Sequence, residues 1–85
     1  MTMPLHPDAV LRRVGAGAVL VHVGTGHVYE LNGTAARAWE LAAEGRSASD
    51  ITTTLGLEFN GNRETIESDV RELFAFLSSH GFLVQ

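Results

Sequence analysis

The run Gly26-His27-Val28-Tyr29-Glu30-Leu31-Asn32-Gly33-Thr34-Ala35-Ala36-Arg37-Ala38-Trp39 carries the chain from a β pattern into a helical one through an Asn-Gly pair, with almost no loop between them. A strand joined so closely to a helix builds a groove beside it. His27-Val28-Tyr29-Glu30-Leu31 is rich in β-branched and aromatic residues. The tight-turn composition Gly24-Thr25-Gly26 separates it from an earlier apolar run, Ala18-Val19-Leu20-Val21-His22-Val23, and the two runs read as a β-hairpin. Asn32 is placed to accept hydrogen bonds from the first amides of a helix that carries Ala35, Ala38, Trp39 and Ala42 on one side, with Leu41 at the border. Hairpin and helix are expected to share one core.

The 85 residues read as one small domain spanning 1–85, which buries only about 60 to 65% of its unfolded surface. Nearly every apolar position is then needed for stability, and little core remains for an enclosed active site. The absence of cysteine removes disulfides, thiolate metal sites and cysteine nucleophiles together, and is compatible with a reducing cytosol. Residues 1–7 lack an apolar segment and the longest apolar runs are far too short to cross a bilayer, so a cytoplasmic protein without a membrane partner is expected. Six arginines, no lysine and ten acidic residues give a formal charge of −4, which repels nucleic acid phosphates and anionic lipid unless the arginines cluster. They are scattered at 12, 13, 37, 46, 63 and 71, and the chain holds no internal repeat or low-complexity segment.

Val10-Leu11-Arg12-Arg13-Val14 reads as a first strand, stopped by Gly15-Ala16-Gly17, so the N-terminal third forms a three-stranded meander. A first helix is expected over 33–43, ending at Glu44-Gly45. Ser47 with Asp50 three residues later resembles a capping box for a short second helix through Leu55. Gly56 and Asn60-Gly61-Asn62 then form a loop, a third helix starts near Asn62 and ends at His80-Gly81, and Phe82-Leu83-Val84 packs back as an apolar tail.

At about 100° per residue, Ile66, Val70, Leu73 and Leu77 of the third helix fall in one stripe that reads as core, with Phe74 at its flank. Phe76 lies off that stripe beside Asp69, Glu72 and His80, and is expected to be only partly buried. Two roles fit it: an isolated apolar residue on the surface, or the wall of a binding groove. Glu64, Glu67, Asp69 and Glu72 read as a solvated face.

No catalytic, cofactor or metal constellation emerges. His22 and His27 flank the hairpin turn without a third ligand, a poor metal site, and read as solvated hairpin residues. Thr52-Thr53-Thr54 lies on a short helix without a base nearby and reads as surface and helix-end chemistry. Gly15-Ala16-Gly17 and Gly24-Thr25-Gly26 lack the longer glycine pattern and the lysine that grips phosphates, and are turns.

Thr25-Gly26-x-x-Tyr29-x-Leu31-Asn32 running into a helix with Trp39, then Glu44-Gly45-x-Ser47 before a helix with Ile51 and Leu55, then Asp69-Val70, Leu73, Leu77 and Gly81-Phe82-Leu83, together resemble the PqqD-like RiPP recognition elements. These are small winged-helix domains that hold the leader segment of a ribosomally made precursor peptide, and the resemblance covers most of the chain. It implies an α+β, winged helix-turn-helix-like fold: three antiparallel strands followed by three helices. The leader lies as an added strand beside the third strand, against the third helix. Carried over, His27, Val28, Tyr29, Glu30 and Leu31 supply the strand edge, and Leu73 and Phe76 supply apolar contact. Asp69 supplies a polar anchor or a structural contact. Edge amides and carbonyls that an extended peptide can pair give affinity, and neighbouring pockets give sequence choice.

In the subgroup that serves pyrroloquinoline quinone biosynthesis a Pro-Glu-Gly element precedes the Leu-Asn cap, whereas here the turn reads Gly24-Thr25-Gly26-His27. The Thr-Gly-x-x-aromatic-x-Leu-Asn form is more similar to the free-standing leader-binding proteins of lasso peptide pathways, which work beside a leader peptidase. The resemblance thus implies a non-enzymatic, cofactor-free peptide binder. Its partners are a precursor leader and a maturation enzyme: a leader peptidase or, in the alternative, a radical SAM enzyme. A winged-helix DNA reader shares the elements, but its reading helix needs Arg, Lys, Asn or Gln, and the third helix sets four acids against Arg63 and Arg71.

Overall fold

A computed structural model describes residues 5–84; residues 1–4 and 85 of the domain expected over 1–85 lie outside the described residues. Three strands, β1 (Ala9–Val14), β2 (Gly17–His22) and β3 (Val28–Leu31), are followed by three helices, α1 (Gly33–Ala43), α2 (Ala48–Phe59) and α3 (Arg63–Ser79). The sheet is an antiparallel meander in the order β1-β2-β3, with Val10 opposite Val21 and Leu20 opposite Tyr29.

The period-two alternation of strand side chains sends Ala18, Leu20 and His22 inward, where all three are buried. Val10, Val21 and Val28 form a row on the opposite, outward face. The inner face packs on α1, whose Ala36, Ala38, Trp39, Leu41 and Ala42 are buried. This helix buries two sides because the sheet lies on one and α2 on the other, so Leu41 is fully inside and Ala35 only half-buried.

Each helix starts on a side-chain cap, which satisfies amides that have no partner within the helix. Ala35 N–H donates to Asn32 Oδ1 at 2.8 Å, Asp50 N–H to Ser47 Oγ at 3.2 Å, and Glu64 N–H to Asn62 Oδ1 at 2.8 Å. The second helix runs past the expected Leu55 to Phe59 and takes Gly56 into its body. Asn60, left-handed at φ 52°, stops it instead. The turn that follows folds over Ile66 of α3, which is buried, and this tertiary packing outweighs the weak helix propensity of one glycine.

Phe82 ties the two halves together. Its ring is fully buried and meets His22 of β2, Tyr29 of β3 and Trp39 of α1 edge-on, at centroid distances of 5.5, 5.6 and 6.4 Å. The tail thus packs back as expected: His6 N–H donates to Phe82 O at 2.8 Å and Leu83 bridges Leu5, although Val84 is exposed.

Two expectations fail because distant elements arrive over residues that look solvated locally, and a third because a neighbouring helix shifts the centre of an apolar stripe. His22 is 6% exposed, stacked 4.8 Å from His6, and its Nδ1 accepts from Thr25 N–H at 3.2 Å. Thr52 is buried with its hydroxyl donating to Ala48 O at 2.9 Å. On α3, Phe74 rather than Leu73 completes the core with Ile66, Val70 and Leu77, because α2 packs on the Phe74 side.

Candidate functional site

Which backbone groups β3 leaves free follows from the phase of its ladder. His22 N–H donates to His27 O at 2.9 Å, and Val23 N–H donates to Asp8 O on the other flank of the hairpin. Hydrogen-bonded pairs alternate along antiparallel strands. Tyr29 and Leu31, opposite Leu20 and Ala18, therefore turn their amides and carbonyls toward β2. Val28 and Glu30 turn theirs outward, and among the described residues no strand pairs with that edge.

Beside this edge lies a cavity of about 470 Å³ between β3, α1 and α3. Leu31, Ala35, Ala38, Leu55, Ile66 and Val70 form its apolar floor, with Leu73 and Phe76 along the α3 wall. Glu30, Asp69 and Glu72 also line it, and no basic residue does. Phe76 is 37% exposed, and its ring meets Tyr29 edge-to-face at 5.1 Å. His80 stacks on Phe76 at 4.1 Å, with Nδ1 donating to Phe76 O at 2.8 Å.

Of the eight residues expected at the site, Glu30, Leu31, Asp69, Leu73 and Phe76 line the groove, and Tyr29 adjoins it through its ring contact with Phe76. Val28 stands at the free edge with its side chain on the outward face. His27 precedes β3 rather than beginning it, pairing with β2 only through its carbonyl while its amide turns to Thr25 Oγ1 at 3.3 Å. The floor residues of α1 and Glu72 were not singled out from sequence, although Glu72 stands three positions after Asp69 and four before Phe76 on one helix surface.

The arginines are largely spoken for. Arg13 bonds Glu40 through Nε at 3.0 Å and Nη2 at 2.6 Å, bracing β1 to α1; Arg37 clasps Glu58, bracing α1 to α2. These hydrogen bonds hold the carboxyls of Glu40 and Glu58 below the ordinary range and raise their guanidinium partners. Arg46 and Arg71 stand at 3.6 and 3.4 Å from Glu44 and Glu67. Such neutralised arginines do not make the contiguous basic face that a DNA reader requires. Among the described residues, no group of three His, Asp or Glu side chains is arranged to hold a metal, and no helix is long and apolar enough to cross a membrane.

Residues 17–83 match the protein family described as coenzyme PQQ synthesis protein D (PqqD). Two solved structures are similar over nearly the whole chain. One is TbiB1 in complex with the TbiA(beta) leader peptide, 27% identical, with 95% of this chain and 94% of that one covered and a TM-score of 0.86. The other is a lasso peptide synthetase B1 complexed with the leader peptide, 26% identical, with both chains fully covered and a TM-score of 0.87. No curated protein matches the chain.

Proposed function

The chain belongs to the PqqD family, and from that premise we propose that it is a non-catalytic binder of the leader region of a ribosomally synthesised precursor, which it presents to the leader peptidase of a lasso peptide pathway. One observation carries the reading: the unpaired edge at Val28 and Glu30 runs beside a groove with an apolar floor, in a fold whose two similar structures hold leader peptides. An extended peptide pairs its backbone with that edge, and alternate side chains drop onto Leu31, Leu73 and Phe76.

Its contribution to the pathway is concentration and orientation. A precursor held on the domain meets the partner enzyme at an effective concentration of about millimolar, with the cleavage region at a fixed place relative to the edge. The same description fits a PqqD-type chaperone for a radical SAM enzyme, which the family match favours. The glycine-threonine-glycine turn at 24–26 favours the peptidase. Titration calorimetry with the leader of the precursor, followed by co-purification with each enzyme class, separates the two. A leader that fails to bind refutes the proposal, and a stable complex with a radical SAM enzyme alone moves the chain to the second reading.

A further inference from the structure

The carboxylates on strands and helices sort into three groups. Glu40, Glu58 and Glu67 are each paired with an arginine. Asp50 and Glu64 occupy the first turns of α2 and α3, where unpaired helix amides favour negative charge. The remaining three, Glu30, Asp69 and Glu72, have no ion pair or side-chain hydrogen bond among the described residues, and all three line the groove. No basic side chain lines it with them. Asp69 and Glu72 are neighbours on one face of mid-α3, so their like charges repel without relief from the helix end.

We propose that the groove selects an extended peptide in which an apolar side chain is flanked by basic ones, with Glu30, Asp69 and Glu72 as its specificity-determining residues. This rests on the reading of the groove as the leader site and names the chemistry of the segment it takes. An added strand places successive side chains on opposite faces. The apolar one goes in, over Leu31 and Leu73. Its neighbours in sequence face out on the side of the sheet that carries Glu30, while residues nearer the helix pass Asp69 and Glu72. Lysine or arginine at these positions relieves the repulsion between acids and pairs carboxylates that have no other partner. Peptides of opposite charge are rejected by the same groups.

The test is selection from a displayed library of random peptides long enough to form a strand, on the wild-type protein and on the triple variant Glu30→Gln, Asp69→Asn, Glu72→Gln. All three side chains are exposed, so the variant is expected to keep its melting temperature, checked first by circular dichroism. Wild-type selections should be enriched in lysine or arginine on both sides of an apolar residue, and the variant should keep the apolar preference and lose the basic one. One selected peptide, measured by fluorescence anisotropy, should bind the variant about tenfold more weakly at low salt, with the gap closing as salt is raised. Selected peptides without basic enrichment, or a variant that retains it, overturn this inference and leave the leader-site reading standing. No wild-type binder, or binders indifferent to Phe76→Ala, overturn that reading as well.

Discussion

Tyr29 and Phe76 meet at 89° with their ring centroids 5.1 Å apart, so the edge strand and the third helix touch through these two rings. Phe76 is the wall residue with the largest apolar surface still open. Phe76→Ala should weaken leader binding by about 1 to 3 kcal/mol, as an apolar anchor at a small interface does, and cost less stability than Val70→Ala. Calorimetry on folded variants reads both. Undiminished affinity in both Phe76→Ala and Asp69→Ala would move the leader to another face.

The ladder phase makes a residue-level forecast. In the free protein the amides of Tyr29 and Leu31 are already held by β2, so leader binding should slow exchange chiefly at Val28 and Glu30. Amide exchange by NMR resolves these positions. New protection confined to residues 10–14 would put the peptide on the β1 edge instead.

Trp39 belongs to the core and not to the groove, with 4% of its surface exposed and its ring against Phe82. Trp39→Ala should cost about 3 to 5 kcal/mol through lost burial and a cavity. A variant with an unchanged melting temperature and no leader affinity would reverse that assignment.

Acid should weaken the fold through the arginine clasps. Glu40 and Glu58 are held below the ordinary carboxylate value of 4.5 by hydrogen bonds from Arg13 and Arg37. Their contribution is therefore complete above that value and is lost as the pH falls through the lower, folded-state values. Melting temperature against pH should fall in that acid window, and Glu40→Gln with Glu58→Gln should start lower at neutral pH and fall less steeply. An identical acid slope in the double variant would assign the effect to other groups.

Local chemistry made much of this legible from sequence. Asn32 followed by glycine marks the start of α1 at Gly33, and the helix ends at Ala43 before Gly45 as its composition implies. The floor and walls of the groove were only half legible, because they depend on which elements close over one another. His22 continues the inward alternation of Ala18 and Leu20, and that period of two was the signal for its burial. What buries it, Phe82, comes from the far end of the sequence. The exchange of Leu73 for Phe74 in the core has the same origin: helix periodicity locates a stripe to within one residue, and the neighbouring helix decides its centre.

Backbone also meets backbone where the β1–β2 turn rests on the β3–α1 junction. A Cβ on Gly17 would lie 2.5 Å from Leu31 O, and one on Gly33 would lie 2.8 Å from Ala16 O. This pinch sets where the edge strand runs without using any side chain of the groove wall. Frame and wall are accordingly separable. On the proposed leader-site reading, substitutions at positions 30, 69, 72, 73 and 76 should change which peptide is taken while the edge strand keeps its course, the property wanted of a scaffold for retargeting a peptide-processing enzyme to precursors it does not normally accept.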